Sequence, residues 1–247
     1  MRYAEHRPAA ELRARVDCYW TMTGADAAAH GVLPDGCMDV LFDFAAGTAT
    51  IVGTMTTALV VPAAARVDYL GVRFRPGEAF ALLDLRADEA TDQSLAFEDA
   101  SLADELASAQ PRERIAILDR RLGAARARPA DARVRRAIAR IFSCPAEARV
   151  ASLAEQVGAS ERHLERIFRE RVGIGPKDLV RVARLRTLVA RAHASPRPRW
   201  AELAHEAGWS DQAHMIRDVK RLAGVTPTDL VSDSFNAPAE DSVTTRA

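Results

Sequence analysis

The chain has 247 residues, 48% of them hydrophobic, enough to bury one or two cores. It has no run of 18 apolar residues and opens on "MRYAEHRPAAELRARVD", too charged for a secretory signal peptide, so a soluble, cytoplasmic protein with no membrane association is expected. Its formal charge is zero, and its three cysteines, Cys18, Cys37 and Cys144, are odd in number and lack C-x-x-C spacing, which argues against a disulfide framework.

In chain order the first hundred residues read as short strands with turn signals between them. "VDCYWTMTG" is the first strand. "LPDGCMDVLFDF" follows, with a Pro-Asp-Gly turn and then a strand that places Met38, Val40, Phe42 and Phe44 on one face. "TATIVG", "TALVVP" and "VDYLGVRFRPG" complete the set, so a small sheet or barrel is expected. Tyr19, Trp20 and, later in the chain, Trp209 read as core or hinge aromatics. Arg73 and Arg75 are read as alternating outward from the last strand, either to meet an anionic effector or to face water. Cys37 lies between Asp35 and Asp39, which would raise its thiol pKa, so it reads as a small buried or turn residue and not as a nucleophile. The six histidines include no H-x-H pair and no G-x-G-x-x-G loop occurs, so neither a metal nor a cofactor is called for and no catalytic residue is assigned.

Helices are expected over residues 77–85, in "SLADELASA", and over residues 110–127 and 130–142. Beyond them, "SLAE" at residues 152–155 has the form of a capping box, so a short helix should start at Leu153, bury Leu153, Ala154 and Val157, and stop at Gly158. Ser160 then caps a second helix, which buries Leu164, Ile167 and Phe168 and ends at Gly173. Two short helices joined through three residues make a helix-turn-helix. From Pro176 to His193 a longer helix carries an apolar stripe of Leu179, Val182, Ala183, Leu185, Arg186 and Val189, and Pro196 and Pro198 stop it.

The pattern then recurs. A shift of 51 residues takes Ser160 to Asp211, Leu164 to Met215, Arg166 to Arg217, Phe168 to Val219, Gly173 to Gly224 and Pro176 to Pro227, each keeping its role as cap, core, outward arginine or helix stop. "WAELAHEAGW" precedes the second unit, with Leu203, Ala204 and Ala207 as its apolar side and a turn one residue longer. The tail "NAPAEDSVTTRA" reads as disordered. Charge divides along the chain: residues 1–111 hold 8 basic and 17 acidic side chains, residues 112–200 hold 22 and 9, and residues 201–247 hold 4 and 8. The basic block coincides with the first helix-turn-helix and its approach, where phosphates would be neutralised.

The order G-x-S-x-x-x-L-x-R-x-F-R-x-x-x-G-x-x-P, then Arg184-Leu185, then L-A-x-x-A-G followed by an aromatic, then an arginine before G-x-T-P, resembles the DNA-binding domain of AraC/XylS-type transcriptional regulators across about residues 134–230. The chain departs from the family in the second unit, where Met215 and Val219 stand in place of phenylalanines and Trp209 where Phe is common; these are apolar for apolar. "LPDGCMDVLFD" and "GVRFRPG" also resemble the N-terminal domain of one group of these regulators. The resemblance implies an α+β chain: a β-rich sensing or oligomerising domain over residues 1–108, a helical linker over 109–131, an all-α domain over 132–234 with two helix-turn-helix motifs joined by a long helix, and a tail over 235–247. It implies that Arg162, Glu165, Arg166 and Arg169 of the first unit, and Gln212, His214 and Arg217 of the second, meet DNA. Glu165 could accept from a cytosine or steer Arg162 and Arg169. Arg184 is read as pairing within the domain. Double-stranded DNA is the expected partner, with room for RNA polymerase and for a small-molecule effector among Trp20, Phe42, Tyr69 and Phe74, in a monomer or homodimer. The competing reading is a DNA-associated enzyme or repair protein that uses the helical domain for targeting.

Overall fold

The computed structural model describes residues 1–231 except 127, 128 and 196. The N-terminal half is built from β1 (Arg2–His6), β2 (Val16–Ala27), β3 (His30–Val32), β4 (Met38–Asp43), β5 (Thr48–Val52), β6 (Leu59–Val61), β7 (Ala64–Phe74), α1 (Ala79–Leu83), β8 (Ser94–Ala96), α2 (Ala100–Ser108) and α3 (Arg114–Ala124). Six strands form one sheet in the order β1-β2-β7-β4-β5-β8, with every pair antiparallel, and β3 pairs with β6 separately. All the strands read from the sequence form. Three others do too: β1 is charged along its length, and β3 and β8 have three residues each, too short to show an alternation.

Alternation along the strands gives the sheet two unlike faces. Tyr19, Val40, Phe42, Leu70, Val72 and Phe74 face a core closed by Leu102 and Leu106 of α2 and Ile117 and Leu118 of α3. The Tyr19 hydroxyl donates to Asp119 at 2.9 Å, which satisfies the one polar atom that this ring brings inside. Phe44 lies one residue beyond β4, half-buried beneath the Arg114 guanidinium, and packs against the same core as Met38, Val40 and Phe42, as expected. On the opposite face Trp20 lies flat over Gly71, its cross-strand partner; a Cβ at Gly71 would fall 2.0 Å from the indole, so only glycine permits this approach.

The C-terminal half comprises α4 (Ala132–Ser143), α5 (Val150–Gln156), α6 (Glu161–Val172), α7 (Pro176–His193), α8 (Trp200–Ala207), α9 (Gln212–Ala223) and α10 (Pro227–Leu230). Some expected boundaries move. The helix expected over residues 77–85 is the five residues of α1, closed by Asp84 in the left-handed region, and that expected from residue 110 begins at Arg114. The capping box does not form: α5 begins at Val150, and Ser152 lies inside it, accepting a hydrogen bond from Gln156. Arg186 of α7 is exposed, 5.3 Å from the centre of the Phe142 ring; Val180 and Leu188 complete the buried stripe. Pro196 and the tail from residue 235 lie outside the described residues.

Two cores share α7. Leu179, Val182 and Ala183 pack with α4, α5 and α6, while Leu185 and Leu188 pack with α8, α9 and α10. Leu33, from the N-terminal half, is buried in the second of these.

Candidate nucleic-acid interface and the cavity behind it

Helix α6 exists where it does because both ends are closed by side chains or backbone suited to the task. The Ser160 hydroxyl accepts from the His163 amide, and Gly173 ends the helix at φ +91°. Leu164, Ile167, Phe168 and Val172 are buried, which leaves the opposite face in solvent. In α9 the Asp211 carboxylate accepts from the His214 amide, Gly224 ends the helix at φ +73°, and Met215 and Val219 are fully buried. The repeat read from the sequence is therefore a repeat in space. That amide bond, followed by one from Ser210, holds the Asp211 carboxyl below the ordinary aspartate range.

The departure at Trp209 has a structural counterpart. Its indole is buried and donates to Asp218 at 2.9 Å, so the aspartate at the middle of α9 is buried with a partner. A phenylalanine at residue 209 could make no such bond.

The predicted contact residues sit on the two outer faces. Arg162, Arg166, Arg169, Gln212 and Arg217 are exposed, while Glu165 and His214 are half-buried. Their local partners differ. Arg166 donates to Glu170 at 2.7 Å and lies 3.2 Å from His163 Nδ1; Arg169 pairs with Glu165 at 2.8 Å. Glu165 thus meets Arg169, and Arg162 makes no side-chain hydrogen bond or ion pair among the described residues. His163 went unread in the sequence although the 51-residue shift places it at His214; it also lies 3.0 Å from Arg133 of α4. Arg184 donates to the Pro145 carbonyl at 3.1 Å, a contact within the helical half as expected, and burial lowers its pKa.

Both outer helices are tied to the N-terminal half at their C-terminal ends. Thr54, fully buried, donates to the Val172 carbonyl at 2.6 Å, and Thr91 donates to the Gly173 carbonyl at 2.8 Å. The Ala58 amide donates to the Leu222 carbonyl of α9 at 2.6 Å. One loop, residues 53–58, therefore holds a carbonyl from each helix end, groups that have no partner within their own helix. Arg135 of α4 makes a two-pronged bond to the buried carboxylate of Glu78, at 2.6 and 2.7 Å.

The four residues expected to share an effector pocket do not meet. Phe42 and Phe74 are buried in the core face of the sheet, whereas Trp20 points from the other face and Tyr69 lines a separate groove beside Arg66 and Arg112. Trp20 lines a cavity of about 420 Å³, bounded by residues of β1, β2, β4, β5 and β7 on one side and of β3 and β6 on the other. Arg73 does not point to open water: it lines this cavity, 3.5 Å from Asp39 and 3.6 Å from Asp35. Burial works against its charge, but Asp39 and Asp35 outweigh burial and its pKa stands above the ordinary arginine value. Asp39, which also accepts from the Trp20 indole, is pushed up to about 6 by burial. Arg75 instead pairs with Asp17 at the surface. Cys37 is a buried residue whose thiol is pushed up by burial first and by Asp35 and Asp39 second, and burial pushes Cys18 up to about 12. Among the described residues no helix is long and apolar enough to cross a membrane, and no group of three or more acidic, cysteine or histidine side chains is placed to hold a metal.

Comparison with known proteins places these parts. Residues 153–232 match the helix-turn-helix domain family, and residues 4–96 match a domain of unknown function, DUF6597. The HTH-type transcriptional regulator GlxA of Rhizobium meliloti (strain 1021) is 39% identical over 79 residues, 32% of this chain and 24% of that protein, so the chain spans about a quarter of the length of this relative. A probable AraC family transcriptional regulator from Rhodopseudomonas palustris CGA009 superposes with a TM-score of 0.37 at 20% identity, over 42% of this chain and 99% of that one. ToxT from Vibrio cholerae superposes with a TM-score of 0.45 at 9% identity, over 85% of this chain and 93% of that one. Residues 153–232 thus resemble the helix-turn-helix domains of AraC-type regulators, and residues 4–96 resemble the DUF6597 domains.

Proposed function

We propose that the protein is a sequence-specific transcription regulator that lays α6 and α9 in two successive major grooves and is governed by its N-terminal half. The observation that carries this reading is the repetition of a capped helix, with the same buried positions and an outward arginine, on either side of one 18-residue helix. Eighteen residues at 1.5 Å each span about 27 Å, enough to set the two motifs, one beyond each end, about one turn of duplex DNA apart. On this reading Arg162, Arg166 and Arg169 supply most of the favourable charge, since α9 carries only Arg217, Lys220 and Arg221. The N-terminal half acts on the reader through residues 53–58, which bond to both helix ends. The test is selection from random duplex DNA with the full chain, followed by sequencing. Enrichment of two half-sites about one helical turn apart is expected, and recovery of unselected sequence at low salt would defeat the reading.

A further inference from the structure

The cavity behind Trp20 has an unbalanced set of charges. Four charged side chains line it: Arg73 against Glu5, Asp35 and Asp39, with His30 and Met1 also on its wall. Arg73 is shared by all three carboxylates, at 4.0 Å from Glu5, 3.6 Å from Asp35 and 3.5 Å from Asp39. Its Nε is buried without a hydrogen bond, held between the carboxylates and just beyond bonding distance of either aspartate. One guanidinium and the Met1 ammonium against three carboxylates still leave an excess of negative charge in a partly enclosed space, where Coulomb interactions are weakly screened. The remaining wall is apolar or aromatic. Trp20 and Tyr3 stack at 6.2 Å and turn their polar atoms to the same carboxylates, the indole to Asp39 and the hydroxyl to Glu5; Met22, Leu41 and Met55 line the rest.

Each kind of ligand meets this wall differently. An anion would add a fourth negative group around a guanidinium that is already over-matched. A neutral apolar molecule would strip water from the carboxylates and give them nothing in return. A positive charge carried on hydrocarbon or aromatic groups would satisfy both the carboxylate excess and the apolar wall.

We propose that this cavity binds an apolar organic cation, an amine or quaternary ammonium of a size that about 420 Å³ can hold. The inference rests on the regulatory reading for its purpose, because Met55 and Leu33 line the cavity while Thr54 and Ala58, in the same loop as Met55, bond to the ends of α6 and α9. Binding itself does not depend on DNA.

The experiment is calorimetric titration of the full chain, without DNA, at pH 8, with benzyltrimethylammonium and with phenylacetate, which share an aromatic ring and differ in charge. The ammonium should bind at least tenfold tighter than the carboxylate. Glu5→Gln, which keeps an acceptor for Tyr3, should weaken the ammonium about fivefold and leave phenylacetate no weaker, and Leu41→Trp, which fills the cavity, should abolish binding with the fold intact by circular dichroism. Phenylacetate binding as tightly as the ammonium, no ammonium binding at millimolar concentration, or ammonium binding that survives Leu41→Trp would each overturn the proposal. Selected DNA binding without ammonium binding would defeat this inference alone, and ammonium binding without selected DNA binding would defeat the regulatory reading alone.

Discussion

Arg162, Arg166 and Arg169 share one exposed face but start from different local states. Arg162 is uncommitted among the described residues, whereas Arg166 must leave Glu170 and Arg169 must leave Glu165 to reach DNA. Exposed pairs at this spacing are weak, so neither exchange is a large barrier. A bidentate arginine on guanine is worth about 1–3 kcal/mol of discrimination, while a phosphate contact adds affinity evenly and about 1 to the salt slope. Arg162→Ala and Arg166→Ala should relax the selected sequence at one or two positions, and Arg169→Ala should weaken all sites alike. Selected-site sequencing and a salt titration on each variant distinguish these effects. If Arg162→Ala and Arg166→Ala leave both motif and affinity unchanged, the face is solvated surface.

At the scale of elements, the caps give a direct contrast. Ser160 receives the His163 amide and should cost about 1 kcal/mol when changed to alanine. Ser152, which the sequence presents as a cap, lies inside α5, and Ser152→Ala should change stability by only a few tenths of a kcal/mol. Chemical denaturation of the two variants settles which serine closes a helix. The misreading has a physical source, because S-x-x-E is also an ordinary run of helix interior, and the turn that precedes it has no strong cap. The α6 and α9 repeat was legible because caps, stripe and glycine stop are all local. The effector residues were not, since strand residues were chosen by type and not by alternation: Trp20 faces the cavity, but Phe42 and Phe74 face the core. The contact of residues 53–58 with the helix ends carried no signal, because the partners of Thr54 and Ala58 there lie more than a hundred residues away.

At the scale of the whole molecule the two halves are distinct in composition yet share an interface of buried bonds. The fragment 130–234 has its own cores around α7 and should fold and bind duplex DNA alone. It loses Thr54, Thr91, Ala58 and Leu33, so it should melt below the intact chain. Circular dichroism and a binding measurement at low salt test this; an unfolded fragment, or a folded one that ignores DNA, would show that the N-terminal half is part of the reader.

Helix α7 is buried in two cores at once, has no glycine, and carries proline only at its first position. Such a strut cannot lengthen or twist by small amounts, which makes it a ruler for the genome. One base pair inserted between half-sites advances the second by about 3.4 Å and turns it by about a tenth of a revolution, and neither core can slip to follow. Operators of this protein should therefore have a fixed spacer. A probe with one added base pair should lose at least tenfold in affinity and bind no better than a single half-site, whereas equal binding to both spacings would mean that the two readers move independently.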